Sequence, residues 1–115
     1  MSQSYNIVEL TTTTDSEELA QEMARRLVDS KMAACVQVFG PICSVYRWND
    51  ELCQSTEYRC TAKSIKRHVD ALIALITSLH SYEVPEILVV DVSATSDSYG
   101  QWIVQQVDQA AGGQK

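Results

Sequence analysis

Glycine and proline are scarce in this 115-residue chain, at four and two copies, and phenylalanine occurs once. So few breakers exclude a collagen-like or low-complexity chain and leave room for long uninterrupted elements. No apolar run approaches the ~20 residues that a bilayer-crossing helix needs. Met1 to Leu10 holds neither the basic stretch nor the apolar block of a secretion signal. A cytoplasmic location is the expectation. The four cysteines, Cys35, Cys43, Cys53 and Cys60, are spaced by 8, 10 and 7 and form no C-x-x-C pair, so they read as free thiols used as small packing residues. Basic residues are also short: nine Lys plus Arg against fifteen Asp plus Glu leave a net charge of −6. Such a surface repels phosphate backbones and anionic lipid and tolerates cations, so neither nucleic acid nor membrane is an expected partner.

What is present fits a single domain over 1-115, with an ordered core from about 5 to 110, large enough to bury roughly 65% of its unfolded surface without staples. Residues 5 to 12 read as a first strand, and Thr11 to Thr14 continue the β-branched character. Thr14-Asp15-Ser16-Glu17 has capping-box spacing before a helical stripe of Leu19, Met23 and Leu27 that runs to about Ser30. Ala33 to Trp48 carries strand-type residues, with Gly40-Pro41 bending the strand without ending it. A tight turn at Trp48-Asn49-Asp50-Glu51 returns the chain along Leu52 to Lys63. Ile65, Val69, Leu72, Ile73, Ile76 and Leu79 mark a second helix, on whose edge His68 reads as a surface or boundary residue. Glu86 to Val92 is a strand apolar on both sides, expected in the sheet interior. A last helix from about Asp97 is expected to bury Trp102, Ile103 and Val107 before a frayed tail over 112–115.

The order β-α-β-β-α-β plus a terminal helix predicts an α+β, ferredoxin-like sandwich: two helices on one face of an antiparallel sheet, with a long hairpin between the second and third strands. The other face would carry Phe39, Val45, Tyr46, Trp48 and Tyr58. Such an uncovered apolar face implies self-association.

A fold of this kind hosts many activities, so the sites must decide. An RNA-recognition surface would need stacking aromatics in a basic surround, and Leu52 to Lys63 offers Tyr58 alone. A phosphatase would need an anion cradle after the first strand, but Thr11 to Ser16 holds no Gly, Lys or Arg. A metal chaperone would need paired thiolates in the first loop, and a cysteine nucleophile would need a histidine tied to it by spacing; neither is present. No enzyme activity is expected.

What remains is the junction Leu79-His80-Ser81-Tyr82-Glu83-Val84-Pro85-Glu86-Ile87, where chemistry-bearing side chains gather between a helix and a strand. His80 is either a helix C-terminal histidine offsetting the dipole or a metal ligand. Glu83 and Glu86, three apart around a proline, either converge on one cavity or stay solvated. Glu57 and Lys63 are six apart on one strand and so share a face, as an ion pair or as a cleft wall.

Several separated segments resemble the CutA family, in the family's order: Lys31-Met32-Ala33-Ala34-Cys35-Val36, Ser44-Val45-Tyr46-Arg47-Trp48, the strand residues Glu57 and Lys63, His80-Ser81-Tyr82-Glu83-Val84-Pro85-Glu86, and Tyr99-Gly100-Gln101-Trp102-Ile103. The likeness spans about Ile7 to Ile103. It implies a ferredoxin-like subunit in a tight homotrimer whose hairpins pair between subunits, no established enzyme activity, and a role in divalent-cation tolerance. The metal would be copper(II) or another divalent cation and is not needed for folding. The implied ligands are His80 and Glu83, and Tyr46, Trp48, Glu57, Lys63, Tyr82, Pro85, Glu86 and Trp102 are cleft candidates. The chain departs from copper-binding relatives in having Thr11 and Leu79 in place of Cys and His. Two other readings stand beside this one: a trimeric signalling module resembling the PII proteins, with a small effector at its subunit clefts, and a purely structural trimer.

Overall fold

The structure is a computed structural model that describes residues 5–112, with side chains described through Asp108. Its elements are β1 (Ile7–Thr14), α1 (Glu17–Asp29), β2 (Cys35–Trp48), β3 (Glu51–Ile65), α2 (Val69–Leu79), β4 (Ile87–Asp91) and α3 (Asp97–Gly112), with a 3-10 turn (Lys66–His68) leading into α2. The strands form one antiparallel sheet in the order β2-β3-β1-β4. The tail expected to fray lies outside the described residues beyond Gly112. Among the described residues no helix is long and apolar enough to cross a membrane.

Helix α1 starts two residues later than the capping-box spacing suggested. Ser16 is the N-cap and its Oγ accepts from the Leu19 N–H at 3.1 Å, while Thr14 completes β1. The β-branched run Thr11 to Thr14 stays in the strand because it is paired there, opposite Thr61 to Tyr58. At the far end of α1, Lys31 takes the left-handed conformation (φ 67) that turns the chain back towards the sheet.

Leu10 of β1 faces Ala62 of β3 and packs under Met23 and Leu27 of α1 and Leu72 and Ile76 of α2. Each fully buried aliphatic side chain in that layer stabilises the fold by roughly 1.5–3 kcal/mol. Ile7 and Ile65, also directly paired, point to the opposite side of the sheet and meet Ile103 and Val107 of α3. Helices α1 and α2 therefore share one face, and α3 closes one end of the other. Ile65, expected in the second helix, is the last residue of β3, held there by its pairing with Ile7.

His68 is fully buried rather than at a surface edge: its Nε2–H donates to the Val107 carbonyl at 2.7 Å, pinning α3 to the start of α2. Arg67 beside it donates to the Asp108 carbonyl and carboxylate, both at 2.7 Å. Trp102 is not buried. It lies on the outer side of α3, stacked on Tyr99 with ring centroids 5.6 Å apart.

Strand β4 is at the edge of the sheet and not in its interior, because β3 occupies the other side of β1. Ile87 and Val89 pack towards the helices, whereas Leu88 and Val90 are 59% and 55% exposed on the open face. Its two-sided apolar character thus reflects an uncovered face.

Strands β2 and β3 are 14 and 15 residues long, well beyond the usual five or six. Since β1 pairs with β3 only from Tyr58 onward, Glu51 to Glu57 and their β2 partners project as an arm, and the molecule measures 49 × 30 × 21 Å. A bulge between Phe39 and Ile42 marks its root. Gly40 is required there, since a Cβ at that position would sit 2.6 Å from the Tyr58 ring. Asn49 and Asp50 at the tip have φ of 51 and 64, the geometry of a two-residue hairpin turn that follows the strands' twist.

Candidate functional site

Helix α2 ends at Leu79 because His80 turns extended (φ −76, ψ 145) while its backbone N–H still reaches the Ile76 carbonyl. The His80 side chain then spans to the end of β1. Its Nε2–H donates to the Thr13 carbonyl at 2.8 Å, and its Nδ1 accepts the Tyr82 N–H at 3.1 Å. Both ring nitrogens are therefore engaged, in one neutral tautomer. The ring is a strap holding the loop to β1 from its place at the C-cap of α2, and as bonded here neither nitrogen is open to a metal ion. Glu86 adds a second tie, accepting from Thr13 Oγ1 at 3.4 Å.

Fixed this way, Tyr82 tilts against His80 at 4.8 Å between centroids and sends its hydroxyl to Glu57, donating to Oε2 at 2.6 Å. Burial first, and then the Glu57 carboxylate, hold the Tyr82 phenol well above its usual range, so it stays a donor. Glu57 lies at the root of the arm, opposite Ile42 and just past the bulge, and is only 7% exposed. Loop and arm border an open cleft with a volume of about 660 Å³, lined by Thr13, Ser44, Val45, Tyr46, Trp48, Glu57, Tyr82, Glu83, Val84, Pro85 and Glu86.

Of the residues singled out from the sequence, Tyr46, Trp48, Glu57, Tyr82, Glu83, Pro85 and Glu86 come together on this cavity, with His80 directly behind Tyr82. Lys63 and Trp102 do not line it. Lys63 lies at the other end of β3, opposite Cys35 and Glu9, and donates to Gln37 Oε1; it forms no ion pair with Glu57. Trp102 belongs to α3. Thr13, Ser44, Val45 and Val84 also line it, though none was a site candidate from the sequence; the signal for Thr13 was its place at the end of a strand that has to meet the junction.

The donor set does not make a preformed metal centre. Among the described residues no three His, Cys, Asp or Glu side chains are grouped to hold an ion, and both nitrogens of His80 are already bonded.

A family profile described as CutA1 divalent ion tolerance protein matches residues 8–106. The chain belongs to the CutA1 family. Its similarity to CutA relatives extends across kingdoms: it is 32% identical over 91 residues to the divalent-cation tolerance protein CutA of Thermus thermophilus, covering 79% of this chain and 88% of that one. With the human protein CutA it shares 33% identity over 93 residues, covering 81% of this chain and 52% of the relative. The chain thus spans about half to three fifths of the length of the vertebrate CutA proteins it matches. Among solved structures, CutA from Xylella fastidiosa superposes with a TM-score of 0.87 at 30% identity, covering 90% of this chain and 99% of that one. CutA from Synechococcus elongatus gives 0.86 at 33%, covering 92% and 94%. The mixed fold with a four-stranded antiparallel sheet and three helices is therefore that of CutA structures.

Proposed function

We propose that this protein serves divalent-cation tolerance as a non-catalytic, cytoplasmic homotrimer of ferredoxin-like subunits, with the cavity at the 79–87 junction as its ligand-facing site. The observation that carries the reading is the open apolar surface. Phe39 is 65% exposed, and Leu88 and Val90 more than half, on a subunit whose own core is already closed beneath its helices. Copies of the chain are the natural cover for a face of that size beside an unpaired strand edge. The strand order and crossover helices support the ferredoxin-like description, and four free thiols suit a reducing compartment.

Within this trimer copper(II), or another divalent cation, reaches His80 only by displacing the Tyr82 N–H from Nδ1, with Glu83 as the adjacent carboxylate. Contact is accordingly weak and exchangeable. The experiment is a copper(II) titration by calorimetry on protein whose mass has been measured by light scattering, for the parent and His80→Ala. Three subunits and a weak isotherm that His80→Ala diminishes are expected. A well-folded monomer at micromolar concentration would overturn the assembly, and identical isotherms would remove His80 as a ligand. The cavity also favours a second reading, an effector-binding trimer of the PII-like kind, because its volume falls within the roughly 300–1,000 Å³ typical of small-molecule sites.

A further inference from the structure

Glu57 is more than nine-tenths buried as a whole residue, yet among the described residues no cation partners it. Tyr82 donates to Oε2, whereas Oε1 takes no protein donor and is not sealed off, since among the described residues the buried side-chain oxygen without a partner is Thr12 Oγ1. A largely buried carboxylate with one oxygen still open to the cleft is suited to a donor of opposite charge. None of the cavity's lining residues is Lys, Arg or His, and Glu83 and Glu86 stand at its rim, so the site disfavours phosphates and other anions. Its other walls include the rings of Tyr46, Trp48 and Tyr82, beside Thr13, Ser44, Val45, Val84 and Pro85. Aromatic faces do not ligate hard metal ions, which give up water only for several oxygen ligands, but they do attract organic cations.

We propose that this cavity binds a small protonated aliphatic amine, whose ammonium group donates to the free oxygen of Glu57 while its alkyl part lies against the rings of Trp48 and Tyr46. The inference rests on the reading of the junction as the ligand-facing site and names its ligand class. One carboxylate and two or three ring faces satisfy an ammonium ion, and the 660 Å³ volume leaves room for the carbon chain it carries. The second acidic position at the rim accommodates a diamine in the same orientation.

The test uses the chain's two tryptophans, which give two indole N–H signals in a nitrogen-labelled sample. Trp48 lines the cavity and Trp102 does not, so Trp102 serves as an internal reference. Titration with butylammonium chloride at fixed ionic strength is expected to shift the Trp48 signal saturably, with a Kd on the order of 1 mM. Butanol should leave it unmoved, 1,4-diaminobutane should bind more tightly, and Glu57→Gln should weaken butylammonium roughly tenfold or more. If Glu57→Gln fails to assemble, the exposed pair Glu83→Gln and Glu86→Gln together should weaken 1,4-diaminobutane about two- to fivefold. Equal binding of butanol, no saturable shift up to about 50 mM amine, or insensitivity to these substitutions would each overturn the inference. Light scattering on the same sample separates the two readings. A trimer that ignores the amine sinks this inference alone, whereas a monomer sinks the assembly whatever the amine does.

Discussion

Cys60 lies on β3 beneath α1, its Sγ–H donating to the Ala20 carbonyl at 3.5 Å, and burial pushes its thiol from an ordinary 9.0 up to about 11. The unfolded chain releases this proton first. The neutral thiol's contribution to stability is therefore whole below about pH 9 and is lost progressively as pH rises from 9 to 11. Urea unfolding across that window should show the parent losing about 2 kcal/mol that Cys60→Ala does not lose. A thiol-specific disulfide reagent should modify exposed Cys43 in the native protein and leave Cys60 intact. The sequence reads all four cysteines as small packing residues, which holds for buried Cys60 and not for exposed Cys43. It also pointed to the side chains around the junction, because Tyr46, Trp48, Glu57, Tyr82, Glu83, Pro85 and Glu86 all reach one cavity. It could not show that His80 spends both nitrogens on Thr13 and Tyr82, since those bonds depend on where β1 ends relative to α2. Nor could a two-residue period reveal that Glu57 and Lys63, on one strand, serve opposite ends of the sheet.

Among the elements, the hairpin arm is the most exposed to single changes at its turn. Asp50 holds φ at 64, a conformation glycine adopts freely and other residues adopt at a cost. Asp50→Gly should therefore raise the unfolding free energy by about 0.5 kcal/mol, read as a higher thermal midpoint, with an unchanged near-ultraviolet spectrum. The order of strands and helices was legible because periodicity and breakers agree over most of the chain: Pro85 precedes β4, and Gly40-Pro41 bulges β2 without terminating it. Errors gathered where tertiary contacts overrule local pattern. Thr14 fits a capping box but pairs with Tyr58, and Ser16 caps instead. Ile65 fits a helical stripe but pairs with Ile7. Strand β4 reads as interior because both its sides are apolar, although one of those sides is the uncovered face.

At the scale of the whole molecule, the arm and the open face belong to one problem. Trp48, near the arm's tip, is 47% exposed in the single subunit. In the proposed trimer a neighbour covers the part of the indole turned away from the cavity, and Trp48→Ala should cost on the order of 3 kcal/mol for each copy, measured as a lowered midpoint that depends on protein concentration. An unchanged midpoint would mean the indole stays in solvent. The two-stranded arm has no hydrophobic layer of its own, and a lone hairpin is marginally stable in water. The strands from Ile42 to Trp48 and from Glu51 to Glu57 thus borrow their order from whatever lies alongside them. In the proposed trimer this would make the arm a gauge of crowding among like chains. When subunits are scarce, its amides would open and exchange while the sheet's centre stays shut, and the cavity at its root would loosen with it. Ligand capture and assembly would then rise and fall together with the amount of protein made, without any separate switch.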